Sequence, residues 1–175
     1  MSEVSEIGLN NPRGCGECTM CCELFGVPEY KRASGGCRHV LEGKGCAIHE
    51  TRPQACRSFQ CVWTVAAAFD DTWRPDKAGF IITSHDMRLT IDVDPKTPDA
   101  WRQPPYYARL KQLSVRSGPK YLMVVVRTRG HAIMVFPEAD IDLGIDQPTV
   151  TITSGYELQN GRRVPYARYE PATVQ

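Results

Sequence analysis

The chain has 175 residues, of which 42% are hydrophobic and 23% are charged, and its net charge at pH 7 is +1. This composition is typical of one or two globular domains, and a net charge near zero excludes bulk electrostatic attraction to nucleic acid or to anionic lipid. No apolar run approaches the ~18 residues that a transmembrane helix requires, so the sequence predicts no membrane span.

The first 13 residues are polar and lack hydrophobic periodicity, and Pro12 belongs to a turn signal. They contain neither the basic segment nor the apolar segment of a signal peptide. The sequence therefore predicts a polar tail over residues 1–13 and a cytoplasmic location, in which thiols stay reduced.

All eight cysteines of the chain lie between residues 15 and 61. An even number permits disulfides, but a reducing compartment and the Cys-x2-Cys spacing favour metal binding, because two thiolates so spaced reach one ion from a tight turn. The predicted metal ligands are Cys15, Cys18, Cys21, Cys22, Cys37, Cys46, Cys56 and Cys61.

The identity of the metal stays open between two cofactors. Eight thiolates can hold two zinc ions in closed four-cysteine sites, which makes zinc the expected cofactor. The run from Cys15 through Cys18 to Cys21 also matches the opening of the bacterial ferredoxin pattern, although its Cys-Pro ending is absent, so an iron–sulfur cluster is the alternative. Adjacent Cys21 and Cys22 should point in different directions, and we hypothesise two interleaved sites with Cys22 in the second.

The cysteine motif also carries a resemblance to a known family. It reads Cys15-x2-Cys18-x2-Cys21-Cys22, and later Cys46-Ala-Ile48-His49-x2-Arg52-Pro53-x2-Cys56-Arg57-x-Phe59-x-Cys61. Over roughly residues 14–80 this resembles the YkgJ-type cysteine-cluster family, which is described as chelating zinc or iron. The resemblance implies a cysteine-bound metal, and some larger relatives resemble flagellin lysine methylases with an iron–sulfur cluster. The family usually has tyrosine where this chain has His49, so His49 is not predicted as a ligand.

Other polar residues give weaker signals. His39 follows Cys37 closely, but eight cysteines already fill two sites. Arg57 is interpreted either as a donor to a thiolate or as a solvated surface residue. His85 beside Asp86 is predicted to form an exposed pair, because nothing nearby supplies a nucleophile. The sequence has no phosphate-binding glycine loop, His-Glu-x-x-His or Gly-x-Ser-x-Gly motif.

Short helices are predicted in the cysteine-rich half. One runs from Cys18 to Val27, and a second begins at Thr51 as the N-cap, with Gln54 at the capping-box position, and continues to Phe69. Cys56 and Cys61 would lie about 140° apart on that helix, so either it ends near Cys61 or the two thiols serve different sites.

The C-terminal half changes to a period of two, which is typical of strands. A helix is predicted over residues 106–115, with Leu110 and Leu113 inward and Lys111 outward. Asn160-Gly161 is a hairpin signal, and Pro165 places the last strand at a sheet edge. The other strands are predicted over residues 79–83, 88–93, 121–126, 132–136, 149–153 and 156–158.

The sequence therefore predicts an α+β protein. A cysteine-rich metal module over residues 14–75, with short helices, packs on a mostly antiparallel sheet with one covering helix over residues 76–175. The expected function is metal binding in which the ion is mainly structural and the β half offers a surface to an unknown protein partner. The alternative is an iron–sulfur protein in electron transfer or methylase-like group transfer. The composition disfavours nucleic acid as a partner, and the sequence predicts no oligomeric state.

Overall fold

A computed structural model describes residues 13–32, 36–115 and 122–170. It is α+β with mostly antiparallel sheets and a few short helices, as the sequence predicts. Its internal contacts divide the chain into residues 1–84 and 85–175, somewhat after the predicted boundary between residues 75 and 76. Most of the predicted tail lies outside the described residues. Among the described helices, none has the length and apolar character needed to cross a membrane.

The first unit begins with short elements. Helix α1 spans Met20–Leu24, the two-residue strands β1 (Val40–Leu41) and β2 (Gly45–Cys46) pair antiparallel, and helix α2 spans Gln54–Ser58. Helix α1 is thus shorter than predicted. The predicted start of the second helix is wrong, because the Thr51 N–H closes a turn onto the Ile48 carbonyl and α2 begins only after an extended Pro53.

The long helix predicted to continue to Phe69 is interrupted. Phe59 is extended after α2, and Cys61 is the N-cap of a separate helix α3 (Val62–Val65). The Ser58 hydroxyl donates back to the Gln54 carbonyl at 2.9 Å, and such side-chain bonds compete with helix continuation. Of the two predicted alternatives, the helix that ends near Cys61 is therefore confirmed.

The rest of the first unit contains most of its apolar core. Helix α4 (Pro75–Ala78) ends at Gly79, whose left-handed φ of 75° suits glycine at a helix end, and strand β3 (Phe80–His85) follows. The rings of Phe69 and Phe80 each pack edge-on with Trp73, with centroids 5.0 and 6.0 Å from it. All three rings are buried.

By contrast, the segment before this core buries very little. Within its described part, residues 13–32 and 36–60, the buried apolar side chains are those of Met20 and Cys37. A segment of this length with so few buried apolar groups gains little hydrophobic stabilisation, so another interaction must hold its loops together.

In the second unit, the larger sheet has the strand order β4-β5-β6-β7. Strand β4 (Arg88–Val93) runs parallel to β5 (Met123–Thr128), with Ile91 opposite Val126, and helix α5 (Tyr106–Leu113) lies in the connection between them. Parallel neighbours require such a crossover. This pair departs from the antiparallel pattern that dominates the fold.

Two antiparallel strands complete that sheet. Strand β6 (His131–Val135) pairs antiparallel with β5 and with β7 (Asp140–Ile145). We did not predict β7, although Ile141 and Leu143 alternate there with aspartates.

A separate two-stranded sheet follows. Strands β8 (Ile152–Gln159) and β9 (Arg162–Tyr169) pair antiparallel along their whole length, so the two short strands predicted over residues 149–158 are one. Asn160 and Gly161 form the predicted turn, both with positive φ (51° and 75°). An ideal Cβ on Gly155 would lie 2.9 Å from the ring of Tyr166, so glycine there lets that ring cross the strand.

The predicted outward position of Lys111 on α5 is wrong. Its side chain is only 17% exposed, and Nζ lies 2.8 Å from Oδ1 of Asp140, an ion pair outside hydrogen-bond geometry. The other carboxylate oxygen of Asp140 accepts from Arg102 at 2.8 Å and from the Tyr107 hydroxyl at 2.9 Å. Leu110 is fully buried, as predicted.

Candidate metal site

The eight cysteines are distributed over several short elements and turns between residues 15 and 61. Cys15 and Cys18 bracket a turn, and Cys21 and Cys22 lie on α1. Cys46 lies on β2 and Cys56 on α2. Cys37 forms an isolated β-bridge with Lys31, and Cys61 is the N-cap of α3. All eight are free thiols. Cys37 and Cys61 are buried, Cys15 is exposed and the others are intermediate.

Arg13 anchors the start of this segment to α3. Its N–H donates to the Thr64 carbonyl at 2.8 Å, and its Nη2 donates to the Ala66 and Phe69 carbonyls at 2.7 and 2.8 Å. Its guanidinium also lies 5.0 Å from the centroid of the Trp63 ring, a cation–π distance. Arg13 belongs to the predicted polar tail, and a lone arginine in a polar stretch gives no sequence signal of this anchoring.

Residues 36–47 form a knuckle of tight turns. Cys37 bridges to Lys31, Val40 pairs with Cys46, and the Ala47 N–H donates to the His39 carbonyl at 2.9 Å. The two cysteines of the knuckle are therefore held by backbone bonds on neighbouring strands and turns.

Electrostatic interactions connect particular cysteines. Burial is the largest cause that raises the pKa of the Cys61 thiol to about 11, and the charges of Cys18 and Cys15 add to it against the opposing backbone N–H groups of Trp63 and Thr64. Burial also raises the pKa of Cys56, with added contributions from Cys22, Cys37 and Cys46.

The vicinal pair interacts directly. A side-chain hydrogen bond with Cys21 is the largest cause of a strongly raised pKa at Cys22, followed by burial. The pKa of Cys18 is raised by burial, against the opposing effect of backbone N–H donors at Met20 and Asp76. Asp76 also pairs with Arg74, and we had not singled out this α4 carboxylate beside Cys18.

These thiols have the chemistry of soft metal ligands, but they do not form a ready-made site. In residues 13–32, 36–115 and 122–170, no group of three or more His, Cys, Asp or Glu side chains is arranged to hold an ion. The prediction that all eight cysteines bind metal therefore stays a prediction, supported by donor chemistry and chain placement.

The histidines have other contacts. The ring of His39 packs edge-on against Tyr30 at 4.8 Å, and the His49 Nδ1 lies 3.2 Å from an Arg52 guanidinium nitrogen. His85 and Asp86 form an ion-pair contact at 3.0 Å with side chains 83% and 87% exposed, which confirms the predicted exposed pair.

Arginines cross-link the irregular loops through backbone carbonyls. Arg57 donates from Nε to the Arg52 carbonyl at 2.7 Å and from Nη2 to the Glu50 carbonyl at 3.1 Å. Arg57 is exposed, as expected of a surface arginine, and its described hydrogen bonds go to backbone carbonyls. The same kind of bond is made by Arg13, Arg32, Arg38 and Arg52.

We expect Arg57→Ala to loosen the loop that leads to Cys56. Two exposed hydrogen bonds from a charged donor are lost, so the free energy of unfolding should fall by about 1 kcal/mol. Amide hydrogen exchange between Glu50 and Cys56 should accelerate. Lys44→Ala, at an exposed position of the β1–β2 turn, is the control and should leave both measurements unchanged. Equal exchange in wild type and Arg57→Ala would contradict a cross-linking role.

Comparison with protein-family models, with curated proteins and with solved structures gives no match. The resemblance to the YkgJ-type family therefore stays a prediction from the motif.

The predicted partner surface on the β half also stays a prediction. Ile145 on β7 and Leu158 on β8 are about three-quarters exposed. Single exposed apolar side chains are common on protein surfaces and do not by themselves indicate a partner.

Proposed function

We propose that the cysteine-rich segment, residues 13–61, binds metal through its cysteines and that the ion is mainly structural. The observation that carries this proposal is a coincidence within one segment. Within the described residues 13–32 and 36–60, only Met20 and Cys37 are buried apolar side chains, and residues 15–61 carry all eight free thiols.

Metal binding supplies what the local structure lacks. The two described α-helices of this segment have five residues each, its 3-10 helix has three, and its β-ladder has two residues per strand. Arginine bonds to exposed carbonyls contribute only modestly. A closed zinc–thiolate site contributes on the order of 10 kcal/mol, which is enough to order such a segment.

The donor set suits zinc, with iron as the alternative. Thiolates select soft or borderline ions, and both zinc and iron–sulfur clusters accept four cysteines per site. Because the thiols are not gathered around one point, ion binding has to draw these side chains together. Binding and ordering of the segment are then coupled.

Elemental analysis of protein purified without air tests the proposal. We expect zinc in a colourless protein. Iron together with absorbance near 400 nm would favour the alternative cofactor, an iron–sulfur cluster, over structural zinc. A chain with no bound metal, or with its sulfurs paired as disulfides, would overturn the proposal.

A further inference from the structure

The thiols fall into two groups when they are placed on the chain. The first group lies around the Arg13 anchor. Cys15 is two residues after Arg13, and Cys61 is three residues before Thr64, whose carbonyl accepts the Arg13 N–H. The Cys18 N–H donates to the Cys15 carbonyl at 3.1 Å, which keeps Cys18 in the same turn.

The second group gathers around the end of α1 and the knuckle. The rings of Phe25 and Phe59 pack with centroids 5.3 Å apart, and each follows a cysteine, Cys22 and Cys56, by three residues. Both cysteines are therefore about one helical turn from the same aromatic contact.

Cys37 and Cys46 join this second group through the knuckle. An ideal Cβ on Gly36 would lie 3.8 Å from the Cys22 carbonyl oxygen, so Cys37 begins beside Cys22. On β2, an ideal Cβ on Gly45 would lie 2.8 Å from the Gly16 carbonyl oxygen. Cys46 pairs with Val40, and the Val40 N–H donates to the Cys37 carbonyl at 3.3 Å, so backbone bonds hold Cys46 close to Cys37.

The electrostatic interactions agree with this division. The thiol charges that act on Cys61 come from Cys18 and Cys15, whereas those that act on Cys56 come from Cys22, Cys37 and Cys46. The two cysteines on either side of the extended Phe59 thus have different partners.

We propose that the segment forms two adjacent four-thiolate metal sites, one from Cys15, Cys18, Cys21 and Cys61 and the other from Cys22, Cys37, Cys46 and Cys56. This inference rests on the proposed metal binding and assigns its ligands. The α1 helix starts at Met20, and Cys21 in its first turn follows Cys18 by three residues. The side chains of Cys21 and Cys22 leave this helix about 100° apart. Their mutual thiol contact lies where the two sites meet.

A matched pair of variants tests the assignment, because Cys56 and Cys61 are close in sequence but belong to different sites. We expect two ions per wild-type chain, one in Cys56→Ser, one in Cys61→Ser and none in the double variant, measured by native mass spectrometry after zinc reconstitution. Cys21→Ser should match Cys61→Ser, and Cys22→Ser should match Cys56→Ser.

Alkylation of the thiols, mapped by peptide mass spectrometry, distinguishes ligand loss from general unfolding. In Cys61→Ser, the thiols of Cys15, Cys18 and Cys21 should become reactive while those of Cys22, Cys37, Cys46 and Cys56 stay protected. Cys56→Ser should give the reverse pattern.

The outcomes separate the two proposals. Loss of all metal and protection in either single variant would show one shared cluster and would overturn the division while leaving metal binding intact. A single ion per wild-type chain would likewise overturn the division into two sites and leave metal binding intact. Absence of any bound ion in the wild type would instead overturn the proposed function.

Discussion

Removal of the metal is expected to unfold residues 13–61 while the second unit keeps its fold. The cysteine-rich segment has almost no apolar core, so the free energy of metal binding, on the order of 10 kcal/mol for a zinc site, is largely its free energy of folding. The second unit buries its own apolar side chains, among them Trp101, Leu110 and Phe136, all at most 1% exposed.

The measurement combines a strong chelator with limited proteolysis. New cuts should appear at Gly43, which lies exposed in the β1–β2 turn with a φ of 66°, and the β8–β9 hairpin should stay resistant. Gly35, a second expected cutting site, lies outside the described residues.

The double variant Cys56→Ser/Cys61→Ser is the control for this experiment. It should already be cut at Gly43 without chelator, and the chelator should change nothing further. If the chelator strips all metal from the wild type and Gly43 stays resistant, the ion is not structural.

The features that we predicted correctly depend on short patterns. The hairpin turn at Asn160-Gly161 needs two residues that adopt positive φ, and this requirement is visible in the sequence. The burial of Leu110 follows from the apolar periodicity of α5, and a helix end between Cys56 and Cys61 is one of the two alternatives that helix geometry leaves open.

The errors in the helices have a different origin. The start of α2 and the break before Cys61 depend on side chains that bond to nearby carbonyls, such as those of Arg57 and Ser58. Such bonds compete with helical ones, and a capping pattern such as Thr51 to Gln54 does not show which will form.

The sheet topology and the anchors depend on distant residues. The parallel pairing of β4 with β5 joins strands separated by α5, and no local pattern distinguishes it from an antiparallel pair. Arg13 is 51 residues from Thr64 and Lys111 is 29 residues from Asp140, so neither contact has a periodic signal.

The contacts of Asp140 give the second large expected effect, on the stability of the second unit. Its side chain is 13% exposed, and its charge faces the ammonium group of Lys111, which is 17% exposed. The Nζ of Lys111 also donates to the Phe136 carbonyl at 2.6 Å, so the ammonium group is held in place when its counter-ion is removed. A nearly buried cation without its carboxylate is costly.

We therefore expect Asp140→Ala to lower the free energy of unfolding by about 3 kcal/mol, and Asp142→Ala on the same strand to lower it by less than about 1 kcal/mol. Asp142 also forms an ion pair, with His131 at 3.0 Å, but those side chains are 55% and 46% exposed. Urea denaturation, followed by hydrogen exchange of the β6–β7 amides, measures the difference. The double variant Asp140→Ala/Lys111→Met should recover part of the loss, because it removes the unpaired cation. Equal stabilities for the two single variants would show that the Asp140 cluster contributes no more than a surface ion pair.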